Sequence, residues 1–538
     1  MDLKQSARLV ELYDTTLRDG AQTKGVHFSY SDKLNVIALL DDFGIDIIEV
    51  GWNGANATDT KLFDHLRRQM PRNSDIAAFC STHHPARSVT SDPVFMAGTA
   101  TEVPVMTLFG KSWDLQVIEG LGVSLERNLE IVGGSLEYCR SRFDSLVFDA
   151  EHFFDGLRAN LDYATAIVDT ALRAGADRIV LCDTNGGMLP GQIREAIELM
   201  RRLFPHANFG IHGHNDSDTA VANSLAAVEC GALQVQGTIN GIGERCGNTN
   251  LCSLIPALLL KCGYRLHHVT PERLNQLYTL SNKVAEAARV PVSSNQPYVG
   301  KNAFTHKAGV HIAAVLKLPG CYEHIDPQCV GQQRHLVISE QSGRMAIRHK
   351  LIELGYGECD EIVLQRLVQE IKYLSSQGYV FDKADLSLEL LIHDRLGDPQ
   401  QQLQVEQLTC VPIPIVGANR CYRIELAISF ADGKMYFQHR FSDSPVTTFQ
   451  GMMLGLVRSA LPDFEAPIIQ QTTVEPLDAT HKRAWVTIIQ HEQPKCSMAI
   501  VDHCDVLAQV IAIADCYRWA FRNAQQATQN LQSMASLA

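Results

Sequence analysis

The sequence predicts an α/β protein in which a TIM (β/α)8 barrel is followed by helical subdomains and a C-terminal α+β domain. Two observations predict the barrel. Short apolar runs alternate with amphipathic segments of helical period along the first part of the chain, as parallel strands do when helices cover both faces of their sheet. Eight such units within about 260 residues match the strand count and the size of a TIM barrel.

The eight predicted strands follow one another along the chain. They are ELYDTT (11–16), IDIIEVGW (45–52), DIAAFC (75–80), VPVMTLFG (103–110), SLVFDAEHF (145–153), RIVLCDTNG (178–186), NFGIHGHN (208–215) and LQVQGTING (233–241). A doubly wound open sheet is the alternative, and it predicts a glycine-rich phosphate-binding turn after the first strand. The chain has DTTLRDG there, which favours the barrel.

The segments between the strands carry helix signals. In SDKLNVIALLDDFG, Leu34, Ile37 and Leu40 recur at helical spacing after Ser31, which we expect to be the N-cap. LDYATAIVDTALRAG ends at Gly175, a residue type typical of helix C-termini.

Composition narrows the possible partners and the compartment. The chain has 538 residues, of which 46% are hydrophobic and 20% charged, and its formal net charge is −13. Because no block of like charge dominates, we expect neither nucleic acid nor a membrane surface as a partner. There is no signal-peptide pattern and no apolar stretch of about 18 residues, which predicts a cytoplasmic protein. The 15 cysteines are scattered without a CxxC pair and are expected to be reduced thiols.

Polar residues collect where the predicted strands end. Along the chain they are Arg18, Asp19, Glu49, Asn53, Glu151, Asp183, Thr184, His212, His214 and Asn240. The C-terminal ends of the strands build the active site in TIM barrels, so this clustering predicts an enzyme. Side chains adjacent in an extended chain point to different sides, so Arg18 and Asp19 need not be partners.

The run GIHGHND (210–216) gives the sharpest local signal. His212 and His214 share one face of a strand because side chains alternate, and two imidazoles on one face can converge on a cation. With Asp19 at the matching end of the first strand, they predict a metal site of His, His and carboxylate with open positions for substrate. The loop NGIGERCGNTN (240–250) brings in Asn248, which could ligate the metal or orient a ligand.

Several motifs carry a family resemblance. YDTTLRDGAQ, HGHND and NGIGERCGN together resemble the signature of the metal-dependent Claisen-condensing and aldol-cleaving barrels. This family includes 2-isopropylmalate, homocitrate and citramalate synthases and hydroxymethylglutaryl-CoA lyase. Three longer runs, TLFGKSWD, ANSLAAVECGALQVQGTINGIGERCGN and FTHKAGVHIAAVLKLPGCYEHIDPQCVG, resemble the citramalate synthase branch of the 2-isopropylmalate synthase family. The resemblance covers roughly residues 9–400.

The resemblance implies a metal cofactor and its ligands. It makes Asp19, His212 and His214 ligands of a divalent ion, with Asn248 as a fourth ligand or close neighbour. Mg²⁺ or Mn²⁺ is the expected ion, and Zn²⁺ is an alternative.

The resemblance also assigns residues to substrates and catalysis. Arg18 would contact the ketone oxygen of an α-keto acid, Thr184 would bind its carboxylate, and Glu151 would lie near the reacting carbons. His311 and Tyr322 match the family's catalytic pair beyond the barrel. Both Glu151 and His311 suit the general base in type, so the base stays open.

The implied reaction is an acyl transfer in which acetyl-CoA is the cosubstrate and a small α-keto acid is the acceptor. Pyruvate is the expected acceptor, which would give citramalate and CoA. A 2-isopropylmalate or homocitrate synthase that uses a larger keto acid is the alternative, since one or two methylenes change the transition-state free energy by only about 1–3 kcal/mol. A lyase and a non-catalytic regulatory paralogue also stay open.

The chain is expected to form three domains. Residues 1–268 are assigned to the barrel, 269–396 to helical connecting subdomains and 403–535 to the α+β domain, with GDPQQQLQ (397–404) as the linker. The last domain resembles the family's allosteric and dimerisation domain, which implies a homodimer. Because RFSDSPVTTF replaces the family's glycine-rich turns there, binding of an amino-acid effector is left open.

Overall fold

The structure, a computed structural model, describes residues 9–397, 403–413, 421–490 and 493–537. The chain divides into two compact units, residues 1–304 with 323–334 and residues 305–322 with 335–538. The predicted domain boundaries after residues 268 and 396 stay predictions. Residues 398–402 of the predicted linker lie outside the described residues.

Eight parallel strands close into a barrel in the first unit. They are β1 (Leu9–Asp14), β2 (Ile47–Gly51), β3 (Asp75–Ser81), β4 (Val105–Lys111), β5 (Ser145–Glu151), β6 (Arg178–Asp183), β7 (Phe209–Gly213) and β8 (Gln234–Gly237). Each pairs with the next, and β1 pairs with both β2 and β8, which closes the barrel. The predicted TIM barrel is confirmed. The strand bounds differ from the predicted ones by a few residues at most strands; for example, β1 lies two residues earlier than predicted, and β7 ends before His214.

Helices of the first unit connect and cover the strands. They are α1 (Tyr30–Phe43), α2 (Ala57–Leu66), α3 (Pro93–Thr99), α4 (Leu125–Arg140), α5 (Phe153–Ala159), α6 (Leu161–Arg173), α7 (Pro190–Leu203), α8 (Ala220–Glu229), α9 (Leu251–Pro256), α10 (Pro271–Leu274) and α11 (Leu277–Ala288), and a short strand β9 (Arg265–Leu266) pairs with β1. The predicted N-cap Ser31 is wrong, because the cap is Ser29. Ser29 forms a capping box in which its side chain and that of Asp32 each accept a hydrogen bond from the other's backbone amide.

An apolar cluster and several polar side chains lie inside the barrel. The apolar cluster is made of Tyr13, Ile47, Ala77, Val105, Val147, Val180 and Cys182. Because side chains alternate along a strand, the positions two residues after Ile47, Val105 and Val147 also face inward, and they carry Glu49, Thr107 and Asp149. Asp149 is hydrogen-bonded to Gln236, which lies beside His212. Polar residues therefore replace apolar ones towards the C-terminal mouth. The opposite faces of the strands pack on the helices in one large apolar core.

The second unit contains a short two-stranded parallel sheet, a group of helices and two three-stranded antiparallel sheets. It comprises β10 (Thr305–His306), α12 (Gly309–Lys317), β11 (His335–Leu336), α13 (Arg344–Glu353), α14 (Glu361–Ser376), α15 (Asp385–Leu396), β12 (Leu403–Ile413), β13 (Cys421–Phe430), β14 (Met435–Ser442), α16 (Pro445–Ala460), β15 (Ile468–Pro476), β16 (His481–Gln490), β17 (Gln493–Asp502) and α17 (Asp505–Leu537). The order β-β-β-α occurs twice, and each antiparallel three-stranded sheet is paired in chain order. The predicted α+β texture is confirmed. Within the described residues, no helix has the length and apolar character needed to cross a membrane.

Candidate metal centre and active site

Three buried side chains bring their ligand atoms together at the C-terminal end of the barrel. Asp19 follows β1, His212 lies on β7, and His214 follows that strand. The Nε2 atom of His212 is 3.3 Å from Nε2 of His214 and 3.5 Å from Oδ2 of Asp19, and His214 Nε2 is 4.0 Å from the same oxygen. Among the described residues, no other group of three or more His, Cys, Asp or Glu side chains has the geometry to hold a metal ion.

The loop after β8 brings Asn248 to this cluster. Asn248 and His214 form an isolated β-bridge, so the loop pairs with the chain that leaves β7. The loop turns back at Gly247, whose φ is +89° and where a Cβ would lie 1.9 Å from the carbonyl oxygen of Gly241. Only glycine fits that turn. The structure thus places the four predicted metal-ligand residues in one region.

The unpaired atoms of this cluster fit a divalent cation. Asp19 Oδ1 and Asn248 Oδ1 are buried and have no hydrogen-bond partner, which is costly for an acceptor unless another group satisfies it. Two imidazoles, a carboxylate and an amide oxygen are ligands that Mn²⁺, Zn²⁺ and, through the oxygens, Mg²⁺ accept.

The charge states of these residues also suit a cation. Burial, and then the neighbouring His214, lower the pKa of His212 to about 3. Burial likewise lowers the pKa of His214, so both rings are neutral near pH 7 and keep a lone pair for a metal. Burial raises the pKa of Asp19, but its neighbours, the positive charge of Arg18 above all, outweigh this effect and lower that pKa to about 2. Asp19 is therefore ionised.

Arg18 is clamped between two carboxylates and an aromatic ring. Its Nε donates to Glu49 Oε1 at 2.5 Å, its Nη1 donates to Asp19 Oδ2 at 3.0 Å, and its guanidinium lies 3.8 Å from the centre of the Phe79 ring. Arg18 and Asp19 are thus partners, although their adjacency in the chain did not predict this contact. The reason is the backbone, which turns helically at Asp19 (φ −69°, ψ −42°) instead of staying extended.

Glu49 is the residue that holds Arg18. It is fully buried and accepts a second hydrogen bond from the Tyr13 hydroxyl at 2.7 Å, and that hydroxyl also lies 2.7 Å from Thr107 Oγ1. The sequence predicted Glu49 at the C-terminal end of a barrel strand, but it did not predict a contact for this residue.

A cleft of about 210 Å³ opens over the cluster. Its walls bring together the predicted residues Arg18, Asp19, Glu151, Thr184, His212 and His214, and add Gln22, Phe79, Phe109, Asp149, Cys182 and Glu244. The rings of Phe79 and Phe109 stack with centres 5.0 Å apart.

Glu151 and Thr184 each have one defined contact beside the cleft. A carboxylate oxygen of Glu151 forms an ion pair with Lys111 Nζ at 2.6 Å, since β4 and β5 place these residues side by side. The Thr184 hydroxyl accepts a hydrogen bond from the backbone amide of His152 at 2.9 Å.

The other two predicted catalytic residues lie in the second unit. His311 is on α12, and Tyr322 follows a short turn after that helix. Their ring centres are 4.3 Å apart, and Tyr322 is 46% exposed. Their roles at the barrel mouth stay predictions.

Two polar residues of the interior were not singled out from the sequence. Asp149 and Gln236 are buried on β5 and β8, and Gln236 Nε2 donates to Asp149 Oδ1 at 2.9 Å. Burial, and then the charge of Glu49, raise the pKa of Asp149 to about 8. A polar residue inside an otherwise apolar strand is the sequence signal that could have identified them. Asp149 is such a residue in LVFDAE, and Gln236 is one in LQVQGT.

Comparison with known proteins identifies relatives of the whole barrel. The family model described as HMGL-like matches residues 9–284, just over half of the chain, and a homocitrate synthase post-HMGL domain-like model matches residues 298–379. An (R)-citramalate synthase of Aquifex aeolicus is 49% identical over 393 residues, which are 73% of this chain and 74% of that protein. One from a Synechocystis species is 45% identical over 77% of each chain. A 2-isopropylmalate synthase of Afipia carboxidovorans is 32% identical over 81% of this chain and 82% of that protein.

Proposed function

We propose a reaction for this chain on the premise that it belongs to the HMGL-like family. The protein condenses acetyl-CoA with pyruvate and releases citramalate and CoA. The methyl group of acetyl-CoA loses a proton, and its carbon forms a bond to the keto carbon of pyruvate, whose oxygen takes up a proton. Water then cleaves the thioester, so that CoA leaves as a thiol and the product keeps a free carboxylate.

The observation that carries this proposal is the cluster of Asp19, His212 and His214 at the floor of the cleft. These three residues could hold the divalent metal ion that the chemistry of HMGL-like enzymes requires. The identity to two (R)-citramalate synthases, 49% and 45%, exceeds the 32% identity to a 2-isopropylmalate synthase. Pyruvate is therefore proposed in preference to a larger keto acid.

Asp19, His212, His214 and Asn248 would hold the ion, which we propose to be Mn²⁺ or Mg²⁺, with Zn²⁺ as the alternative. When bound, a divalent ion polarises a ketone oxygen and stabilises the negative charge that develops on it. The chain's own contribution is to keep both imidazoles neutral and Asp19 ionised, as burial and Arg18 do.

Arg18 and Thr184 would orient the keto acid. The guanidinium is fixed by Glu49 before substrate binds, so it meets the developing alkoxide without reorganising, which is how preorganised donors accelerate a reaction. Thr184 lines the same cleft, and its hydroxyl can donate to the carboxylate of pyruvate while it accepts from the His152 amide.

Glu151 is our candidate for the group that removes the methyl proton. It lines the cleft, and its carboxylate is held beside β4 by the ion pair with Lys111 at 2.6 Å. The same ion pair engages the ammonium group of Lys111. We therefore assign that lysine the role of an ion-pair partner. His311 and Tyr322 are proposed to act on the thioester and the attacking water.

The reaction can be tested by the release of free thiol from acetyl-CoA with Mn²⁺ and a panel of α-keto acids. We expect release with pyruvate and much less with 2-oxoisovalerate or 2-oxoglutarate. Release with a larger keto acid but not with pyruvate would contradict the substrate. No release with any acceptor, although acetyl-CoA and Mn²⁺ bind, would contradict the reaction.

The metal site can be tested in the same assay with Asp19→Ala. We expect turnover to be abolished while the circular dichroism spectrum is retained. The matched control is Asp41→Ala, because Asp41 is also buried but binds backbone amides of Asn73 and Ser74 at the other end of the barrel. Asp41→Ala should lower stability and keep turnover. Retained turnover in Asp19→Ala would contradict the assignment.

A further inference from the structure

We propose that Gln236 is a positioning residue that fixes the tautomer and the orientation of His212, so that His212 Nε2 is ready to bind the cation. This inference rests on the metal site of the proposed function. It concerns a residue that touches neither the ion nor the substrate and acts through His212 alone.

His212, Gln236 and Asp149 form a buried chain of hydrogen bonds across the barrel. His212 Nδ1 lies 2.9 Å from Gln236 Oε1, and Gln236 Nε2 lies 2.9 Å from Asp149 Oδ1. Their exposed fractions are 5% for His212, 0% for Gln236 and 4% for Asp149. The parallel pairing of β7 and β8 places His212 directly beside Gln236, so the contact is built into the strand register.

Asp149 decides which end of the Gln236 amide faces His212. An amide has a donor end and an acceptor end, and the donor end is used by Asp149 Oδ1. This oxygen accepts the hydrogen bond whether Asp149 is ionised or carries a proton on its other oxygen. The carbonyl end therefore faces His212, and an acceptor at this distance requires that His212 carry its hydrogen on Nδ1.

This tautomer leaves the lone pair of His212 on Nε2, the atom that faces Asp19 and His214. The opposite tautomer would place a hydrogen on Nε2, where it would donate to Asp19 Oδ2, 3.5 Å away, and block the ligand position. Hydrogen bonds to the second ring nitrogen orient metal-binding histidines in this way and raise their basicity.

The two histidines differ in this respect. His214 is buried, and its Nδ1 has no hydrogen-bond partner. Only His212 of the pair is anchored by a side-chain amide. Loss of the Gln236 amide should therefore weaken cation binding. A substitution that only disturbs packing elsewhere in the barrel should not have this effect.

Gln236→Met tests this inference by removing the amide while keeping the length of the side chain. Gln234→Met is the matched control, because Gln234 lies on the same strand, is equally buried, and contacts Glu11 away from the cluster. The measurement is the dissociation constant of Mn²⁺ for the full chain, from the electron paramagnetic resonance signal of free Mn²⁺. We expect Gln236→Met to weaken Mn²⁺ binding by about 10–100-fold and Gln234→Met to leave it unchanged.

Gln236→Glu and Asp19→Ala complete the experiment. Gln236→Glu restores an acceptor for His212 Nδ1 and should recover most of the affinity that Gln236→Met loses. Unchanged Mn²⁺ binding in Gln236→Met, equal weakening in Gln234→Met, or no recovery in Gln236→Glu would overturn the role of Gln236. Unchanged binding in Asp19→Ala would instead overturn the metal site itself, so the two failures are distinguishable.

Discussion

At the scale of single residues, Arg18 links the fold to the proposed chemistry. Its guanidinium is held by Glu49 on β2 and by Asp19 next to it, and it lies over the Phe79 ring. These contacts keep a positive charge in a nearly buried position, where its effect on a developing negative charge is greater than in water. The same charge lowers the pKa of Asp19 against the effect of burial.

Glu151→Gln tests the proposed base. We expect the variant to lower kcat by about 10²–10⁴-fold, because an amide cannot take up a proton in the transition state, and to leave Mn²⁺ binding unchanged. Glu130→Gln is the control, since Glu130 also forms an ion pair but is 66% exposed on the surface of the barrel. A kcat for Glu151→Gln within a few-fold of the unaltered protein would assign the base elsewhere, with His311 as the next candidate.

Asp149 predicts a pH dependence of stability. Its pKa in the folded protein is raised to about 8, so the folded state holds a proton that the unfolded state releases near pH 4. This contribution to stability is complete below about pH 4 and is lost as the pH rises through about 8. In urea unfolding of the metal-free protein, Asp149→Asn should therefore lose less stability between pH 5 and pH 8 than the unaltered protein. The same pH dependence in both would contradict this assignment.

At the scale of elements, the loop of residues 240–248 determines whether Asn248 reaches the cluster. It turns at Gly247 and pairs Asn248 with His214. Gly243 is packed against the same side chain, and a Cβ at that position would lie 2.1 Å from Asn248 Nδ2. The loop thus positions the amide by close packing of backbone against side chain.

Gly243→Ala tests this packing. The added methyl group must displace the Asn248 amide, so we expect weaker Mn²⁺ binding by roughly tenfold with little loss of stability. Gly187→Ala is the control, because a Cβ at Gly187, in the loop after β6, meets no atom within 4 Å. Binding that is equal in the two variants would show that Asn248 does not contribute to the ion.

The sequence predicted the elements better than their contacts. Eight apolar runs were sufficient to predict the barrel. The cluster of Asp19, His212 and His214 followed from the spacing of the two histidines and from the rule that the C-terminal strand ends of a barrel meet, which brings Asp19 to them. The clamp of Glu49 on Arg18 was not predictable, since a position at a strand end does not determine which of the polar side chains there contact each other. The chain from Asp149 through Gln236 to His212 depends likewise on the register of three strands. The N-cap was misplaced by two residues because Ser29 and Ser31 are both suitable, and only the position of Asp32 completes a capping box at Ser29.

At the scale of the whole molecule, the chain contains separate apolar cores. Among the described residues, the barrel unit contains one large core and the smaller cluster inside the barrel, and two further cores lie within the second unit. The second unit repeats the order β-β-β-α. The expected homodimer stays a prediction, and sedimentation equilibrium would test it directly.

Calorimetry tests whether the barrel responds to metal as a unit. A ligand that binds only the folded barrel at about 100 times its dissociation constant stabilises it by about 2.7 kcal/mol. We therefore expect two thermal transitions, of which one rises on the order of 5 °C with Mn²⁺. Asp19→Ala should abolish this rise. A rise in both transitions, or one that persists in Asp19→Ala, would contradict a metal site confined to the barrel.

The central claim is that this protein joins the methyl carbon of acetyl-CoA to the keto carbon of pyruvate at the Asp19, His212 and His214 cluster. Its most direct test is mass spectrometry of the product formed from pyruvate and acetyl-CoA labelled with ¹³C in the acetyl methyl group. With Mn²⁺, we predict citramalate that carries the label, and none from Asp19→Ala under the same conditions. Free CoA accompanied by labelled acetate and no citramalate would show a thioester hydrolase and contradict the account.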